Sequence, residues 1–148
     1  MLVSACLLGI NCKYNGESNF NQRIAELVKE EKVIPVCPEQ LGGLTTPRLP
    51  CEIVLRDGEK RVIRKDGVDV TQSFLRGAEE TLKIAKMFNE SIAILKTKSP
   101  SCGSCQIYDG SFNGRVIEGS GLTAGLLADN NIRVFDEDNY KPEIIDRR

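Results

Sequence analysis

Short apolar runs recur along the chain, and most stop in small, polar or glycine-containing stretches. Residues 1–8, Val33–Val36, Ser91–Leu95 and Ile132–Phe135 are nearly continuous in hydrophobicity, the pattern of strands buried on both faces of a sheet. Helical spacing lies between them. Asn19 or Asn21 caps a helix running to about Lys32, in which Ile24, Leu27 and Val28 form a short apolar stripe. From Asp69 to about Asn89, Val70, Phe74, Leu75, Ala78, Leu82, Ala85 and Phe88 follow a helical period, and Asp69 with Gln72 suits a capping box. A glycine-rich stretch from Gly119 leads into a third helix ending near Asn130.

Alternating segments supply hairpins. Glu52 to Arg64 alternates around Asp57-Gly58 and predicts a β-hairpin, an insertion covering about residues 51–66. Tyr108-Asp109-Gly110 and Asn113-Gly114 mark turns before the short extended piece Val116-Ile117. Residues 37–51 hold three prolines and the adjacent pair Gly42-Gly43, which predicts irregular backbone. The resulting order predicts a single α/β domain over residues 1–148: a mainly parallel sheet with right-handed crossovers, helices on both faces and β-hairpin insertions. The charged tail, about residues 137–148, reads as irregular.

Composition narrows the chemistry more than the fold. A chain of 148 residues buries roughly two-thirds of its unfolded surface, so size alone demands no metal for folding. Hydrophobic and charged fractions of 41% and 28% are ordinary, and a net charge of -1 gives no general attraction to nucleic acid polymers or anionic lipid. The apolar runs fall short of membrane-spanning length, and residues 1–8 lack the basic start of a secretory signal, so a cytoplasmic location is expected. There the six cysteines read as thiols, metal ligands or catalysts rather than a disulfide frame. Histidine is absent, which removes Cys-His and Ser-His nucleophilic pairs and every histidine-bearing zinc site.

The cysteines then gain meaning from position. Cys6 closes the first apolar run, Cys37 the second, and Cys102 lies in the Lys96–Cys105 loop after the third. A parallel sheet brings the carboxyl ends of its strands to one edge, so these three can converge. Several readings are open: small buried residues, a zinc site using the Cys102/Cys105 pair, a thioredoxin-type redox pair, or an iron-sulfur cluster whose three thiolates leave one iron open. Glu39, two residues beyond Cys37, is the best-placed carboxylate for proton transfer. Ser99 and Ser101 flank Pro100 as hydroxyl donors or turn caps, and Arg48, between Pro47 and Pro50, suits an anion or a surface ion pair. The Gly119 stretch lacks both the Walker and the dinucleotide spacing and reads as helix capping.

Three ordered motifs carry a resemblance that spans nearly the whole chain. Ser4-Ala5-Cys6-Leu7-Leu8-Gly9 with Tyr14-Asn15-Gly16 is the first, and Cys37-Pro38-Glu39 with Gly43-Leu44 and Pro47-Arg48-Leu49-Pro50 the second. The third is Ser99-Pro100-Ser101-Cys102-Gly103 with Tyr108-Asp109-Gly110-Ser111-Phe112. Together they resemble a small bacterial family long labelled a domain of unknown function, which includes the iron-sulfur thiouracil desulfidases. One departure is visible: the usual Arg-Tyr-Asp-Gly of the first loop is Lys13-Tyr14-Asn15-Gly16, one carboxylate fewer.

The resemblance implies a [4Fe-4S] cluster held by Cys6, Cys37 and Cys102 with the fourth iron free. It further implies that sulfur of a small thiolated base binds that iron while water replaces it at carbon, assisted by Glu39 and by Ser101 or Ser99. Arg48, Tyr14 and Tyr108 are the candidates for touching substrate. Two rivals stand beside this desulfidase: a non-catalytic iron-sulfur or sulfur carrier, separated from it by turnover, and a zinc-stabilised interaction module, separated by metal content.

Overall fold

The computed structural model describes residues 1–147. In chain order its strands are β1 (Leu2–Ser4), β2 (Ile34–Val36), β3 (Cys51–Arg56), β4 (Glu59–Arg64), β5 (Ile92–Leu95), β6 (Gln106–Tyr108), β7 (Val116–Glu118) and β8 (Arg133–Asp136). The α-helices are α1 (Gln22–Ala25), α2 (Pro38–Leu41), α3 (Thr71–Met87) and α4 (Leu122–Asp129). No helix among the described residues is long and apolar enough to cross a membrane.

The α/β class and mainly parallel sheet expected from the pattern are found. Four parallel strands lie in the order β2-β1-β5-β8, with Leu2 opposite Ile34 on one side and Ala93 on the other, and Ile92 opposite Arg133. Alternation sorts their side chains to two faces. Leu2, Ala93 and Leu95 pack with Ala85 of α3 and Leu127 of α4, whereas Met1, Val3, Ile92 and Ile94 pack with Ile24, Leu27 and Tyr140. Burial on both faces explains why the strands read as unbroken apolar runs. The chain leaves β1 for β2 on one side and returns to β5 on the other. This reversal opens a crevice at the carboxyl ends of β1 and β5, where doubly wound sheets bind ligands.

The two hairpins form as expected. β3 and β4 pair antiparallel around Asp57-Gly58, and β6 pairs with β7. Several local expectations are corrected. The first strand ends at Ser4, because Ala5–Leu8 winds into a 3-10 turn closed by Gly9 in the left-handed region, so Cys6 sits on that turn and not at the strand's last residue. Asn21, not Asn19, caps the first helix, its Oδ1 accepting from the Ile24 amide at 3.2 Å; beyond Ala25 the winding tightens to 3-10 over Glu26–Lys29. Residues 37–51 contain a regular turn after all. Pro38 opens α2 at a position where its missing N–H has no partner to lose.

The Asp69/Gln72 capping box does not form. Asp69 Oδ1 instead accepts from the Thr71 amide and hydroxyl at 2.9 and 2.6 Å, and Val70 is the residue before α3. The tail expected to be irregular buries Tyr140 and winds as a 3-10 helix over Pro142–Arg147, with Ile144 and Ile145 against the core; Arg148 lies outside the described residues. Arg23 fastens this tail by donating to the carbonyls of Tyr140 and Glu137.

One close approach sets the distance between α2 and α3. A Cβ at Gly77 of α3 would lie 1.9 Å from the Pro38 carbonyl oxygen, and one at Gly42 2.0 Å from the Ser73 oxygen. Only a glycine pair lets the turn carrying Glu39 rest on α3 at this distance.

Candidate active site

A cavity of about 420 Å³ opens at the carboxyl edge of the sheet. Cys6, Cys37 and Cys102, predicted from three strand ends, all line it, together with Glu39 and Ser99. Three different elements deliver the thiols: the 3-10 turn after β1, the residue between β2 and α2, and the loop after β5.

Cys12 joins them. Its thiol is in hydrogen-bonding contact with both Cys6 and Cys37, and its side chain is buried. As the donor it is held protonated, well above the ordinary thiol range, while the same bonds lower its two neighbours. Cys37 is lowered to about 7, by the Cys12 contact first, with the Gln40 amide and Arg48 adding to it. Cys6 is also lowered, by Cys12 first and then by Asn19 and Lys96. Burial pushes Cys102 up despite a bond to the Ser4 hydroxyl, and Cys51 up to about 12. Thiols held this way are deprotonated together only when a cation shares the space.

Among the described residues no group of three or more Cys, Asp or Glu side chains is drawn tightly enough to hold a single metal ion. A multi-iron cluster spreads its ligands over several metal atoms, whereas one zinc draws four within about 2.3 Å of itself. The Cys102/Cys105 pair differs in setting: Cys102 is buried and lines the cavity, whereas Cys105 is exposed, does not line it, and has its Sγ 3.4 Å from Asp136 Oδ2.

Glu39 sits in the first turn of α2 and faces the cavity, its Oε1 3.2 Å from Arg48 Nε. The rest of the Arg48 guanidinium goes to the Thr45 carbonyl, the Thr46 hydroxyl and the Cys12 carbonyl, the last at 2.8 Å. Of the two roles expected of this side chain, an anion site or an ion pair, the ion pair is found, with Glu39, and the guanidinium ties the Cys12 loop to the Glu39 turn. The Arg48 amide also donates to the Tyr14 carbonyl at 2.7 Å. Tyr14 and Tyr108 both line the cavity.

The two serines part company. Ser101 is buried and is not among the lining residues; its Oγ shares a 2.8 Å hydrogen bond with Thr123 Oγ1 at the start of α4. Ser99 lines the cavity, and its Oγ accepts from the amides of Ser101 and Cys102 at 3.1 and 2.9 Å, leaving its own proton to be donated. Of the two serines expected to assist, Ser99 is the one on the cavity wall.

Reading the sequence missed Cys12, Cys51, Glu52, Lys96 and Phe112 on the cavity wall. For Cys12 a signal existed: Gly9 reverses the chain between Cys6 and Cys12, which returns the second thiol to the first.

A histidine-free α/β fold that gathers thiols, carboxylates and hydroxyls at the switch point of a parallel sheet defines a thiol-lined site of the iron-sulfur type. The chain belongs to the 2-thiouracil desulfurase family, whose model matches residues 1–139. It is similar to a solved structure described as the [4Fe-4S]-dependent thiouracil desulfidase TudS, with a TM-score of 0.88 and 42% identity over 99% of this chain and 95% of that one. It is also 46% identical over 143 residues to the uncharacterized protein YbbK of Bacillus subtilis (strain 168), covering 93% of this chain and 95% of the relative.

Proposed function

We propose that the protein is a [4Fe-4S]-dependent desulfidase that converts the C=S group of a small thiolated substrate such as thiouracil, with water, into C=O and hydrogen sulfide. The observation that carries this reading is the convergence of the Cys6, Cys37 and Cys102 thiols on one cavity whose wall also presents Glu39 and Ser99. Family membership and the likeness to TudS support it. The donor set fits the group: soft thiols, two of them already lowered, are the usual ligands of iron-sulfur clusters.

Cys6, Cys37 and Cys102 would hold the cluster, which supplies an open thiophilic iron as a Lewis acid for the thiocarbonyl sulfur. Glu39 takes a proton from the attacking water and later returns it toward the departing sulfur, with Arg48 fixing the orientation of its carboxyl group. Ser99 donates its hydroxyl proton to a heteroatom of the substrate, since both its backbone bonds are accepted ones. Arg48 also holds the Cys12 loop over the site. The cavity's size suits a single base and not a nucleic acid polymer or a membrane surface. The reading places the protein in the cytoplasm, where thiol ligands stay reduced.

Anaerobic reconstitution with iron and sulfide is expected to give about four irons per chain, broad absorbance near ~400 nm and catalytic sulfide release from 2- or 4-thiouracil. Glu39→Ala abolishes release while sparing iron. Iron uptake without turnover, indifferent to Glu39, identifies a carrier and overturns the proposal; so does zinc in place of iron.

A further inference from the structure

The turn after β6 is built more tightly than a surface loop requires. Phe112 has a positive φ of 58°, the left-handed region that an aromatic residue rarely enters. Gly110 beside it is at 91°, and a Cβ there would meet the Ile53 carbonyl oxygen at 2.7 Å, so the turn is pressed onto β3. What holds it is Glu52 of β3, a side chain 8% exposed, whose Oε1 accepts from both the Gly110 amide at 3.0 Å and the Phe112 amide at 3.1 Å. A buried glutamate spent on two loop amides is unusual unless the loop's placement matters.

Its placement matters to the cavity. Phe112, Tyr108 and Tyr14 line one space, and Phe112 takes its position there only while the backbone stays in its disfavoured region. Strain of this kind persists where the surroundings over-determine it, at ligand sites above all. Asp109 closes the other side of the turn, accepting from the Ser111 amide and hydroxyl at 2.9 and 2.6 Å.

We infer that Phe112 is a specificity-determining wall on which the planar heteroaromatic ring of the substrate stacks, and that Glu52 is the positioning residue that holds Phe112 there. This rests on the desulfidase reading for the identity of the ring, and it adds how that ring is selected over an aliphatic thio-compound of similar size. Stacking on one aromatic side chain contributes to binding a base irrespective of its substituents, so its loss falls on affinity. The chemical step, carried by Glu39 and Ser99 on other segments, keeps its rate.

The reconstituted protein tests this as wild type, Glu52→Gln, Glu52→Ala and Phe112→Leu, each checked for equal iron content. Phe112→Leu and Glu52→Ala are expected to raise KM for 2-thiouracil about tenfold with kcat within about twofold. Glu52→Gln keeps a carbonyl acceptor and stays near wild type. Hydrogen exchange by mass spectrometry should show peptides covering Gly110 to Phe112 exposed in Glu52→Ala and protected in Glu52→Gln. An unchanged KM in Phe112→Leu, or losses confined to kcat, overturns the inference, as do Gln and Ala variants that fail alike. Should wild type release no sulfide, the desulfidase reading falls and calorimetric titration with uracil decides the wall: about tenfold weaker binding in Phe112→Leu supports it, and equal binding overturns it.

Discussion

Gly77→Ala places two well-measured effects in opposition. Inside a helix, alanine in place of glycine gains about 1 kcal/mol, because glycine loses more backbone freedom on folding. Gly77 lies within α3, so propensity alone predicts stabilisation. The new Cβ, however, would stand 1.9 Å from the Pro38 carbonyl oxygen and 2.8 Å from its carbon. Both are backbone atoms of a short turn resting on α3, so relief requires that α2 lift as a unit. Overpacking of this kind costs ~1–3 kcal/mol, and a contact with backbone belongs at the upper end. The net expectation is a loss of about 2 kcal/mol, or about 4–8 °C in Tm for a chain of this length.

Gly125 of α4 supplies the control. Its Cβ would meet only the Ser120 hydroxyl at 3.5 Å, an ordinary contact, so Gly125→Ala should raise Tm by about 2–4 °C. Thermal melts of both variants without iron measure the pair. Opposite signs are required; a Tm increase in Gly77→Ala equal to that in Gly125→Ala refutes the packing argument. Because the displaced turn carries Glu39 and follows Cys37, Gly77→Ala should also retain less iron after reconstitution.

The serines give a second test: both alanine variants should lower stability by ~1 kcal/mol or more, Ser99→Ala by leaving the Ser101 and Cys102 amides without their acceptor and Ser101→Ala by losing its buried bond to Thr123, but only Ser99→Ala should cut sulfide release, read by activity and denaturant melts. Asp69 is lowered from 3.8 to about 2, by the Thr71 hydroxyl first, so it favours the fold above about pH 4 and loses that effect as the pH falls through about 2. The Tm gap between wild type and Asp69→Asn should therefore be full near pH 5 and shrink steadily below about pH 4; a gap independent of pH contradicts the assignment.

What could be read in advance follows from which forces are local. The buried parallel strands and α3 are legible because two-sided burial and helical period are written in consecutive residues. Cys6, Cys37 and Cys102 were placed at one edge by that topology alone. Which of Ser99 and Ser101 faces the cavity was not legible, because a strand-end loop does not declare which hydroxyl turns inward; the Thr123 hydroxyl bonded to Ser101 lies 22 residues on. For Arg48 an ion pair was one of two readings, but its partners were not legible, since its acceptors on Cys12 and Glu39 come from two other segments. Phe112 reads as one more turn residue until Glu52, 60 positions earlier, is seen to hold its amide.

The fourth strand end completes the logic of the site without a cysteine. β8 finishes in Asp136 followed by Glu137, both buried, and these acids grip the two ends of the loop that carries Ser99 and Cys102. At the near end Glu137 Oε2 accepts from the Thr97 amide at 2.9 Å, while its Oε1 pairs with Lys96 at 2.7 Å. At the far end Asp136 Oδ2 lies 3.1 Å from Ser104 Oγ and 3.4 Å from Cys105 Sγ. Buried carboxyl groups of this kind are retained where losing one would leave amide and ammonium partners unsatisfied. Two strand ends and the turn after β1 thus supply thiols to the cavity, and the remaining strand end fixes the loop that supplies one of them. Cys105 is held in this clamp by Asp136, away from the lining of the cavity that Cys102 enters.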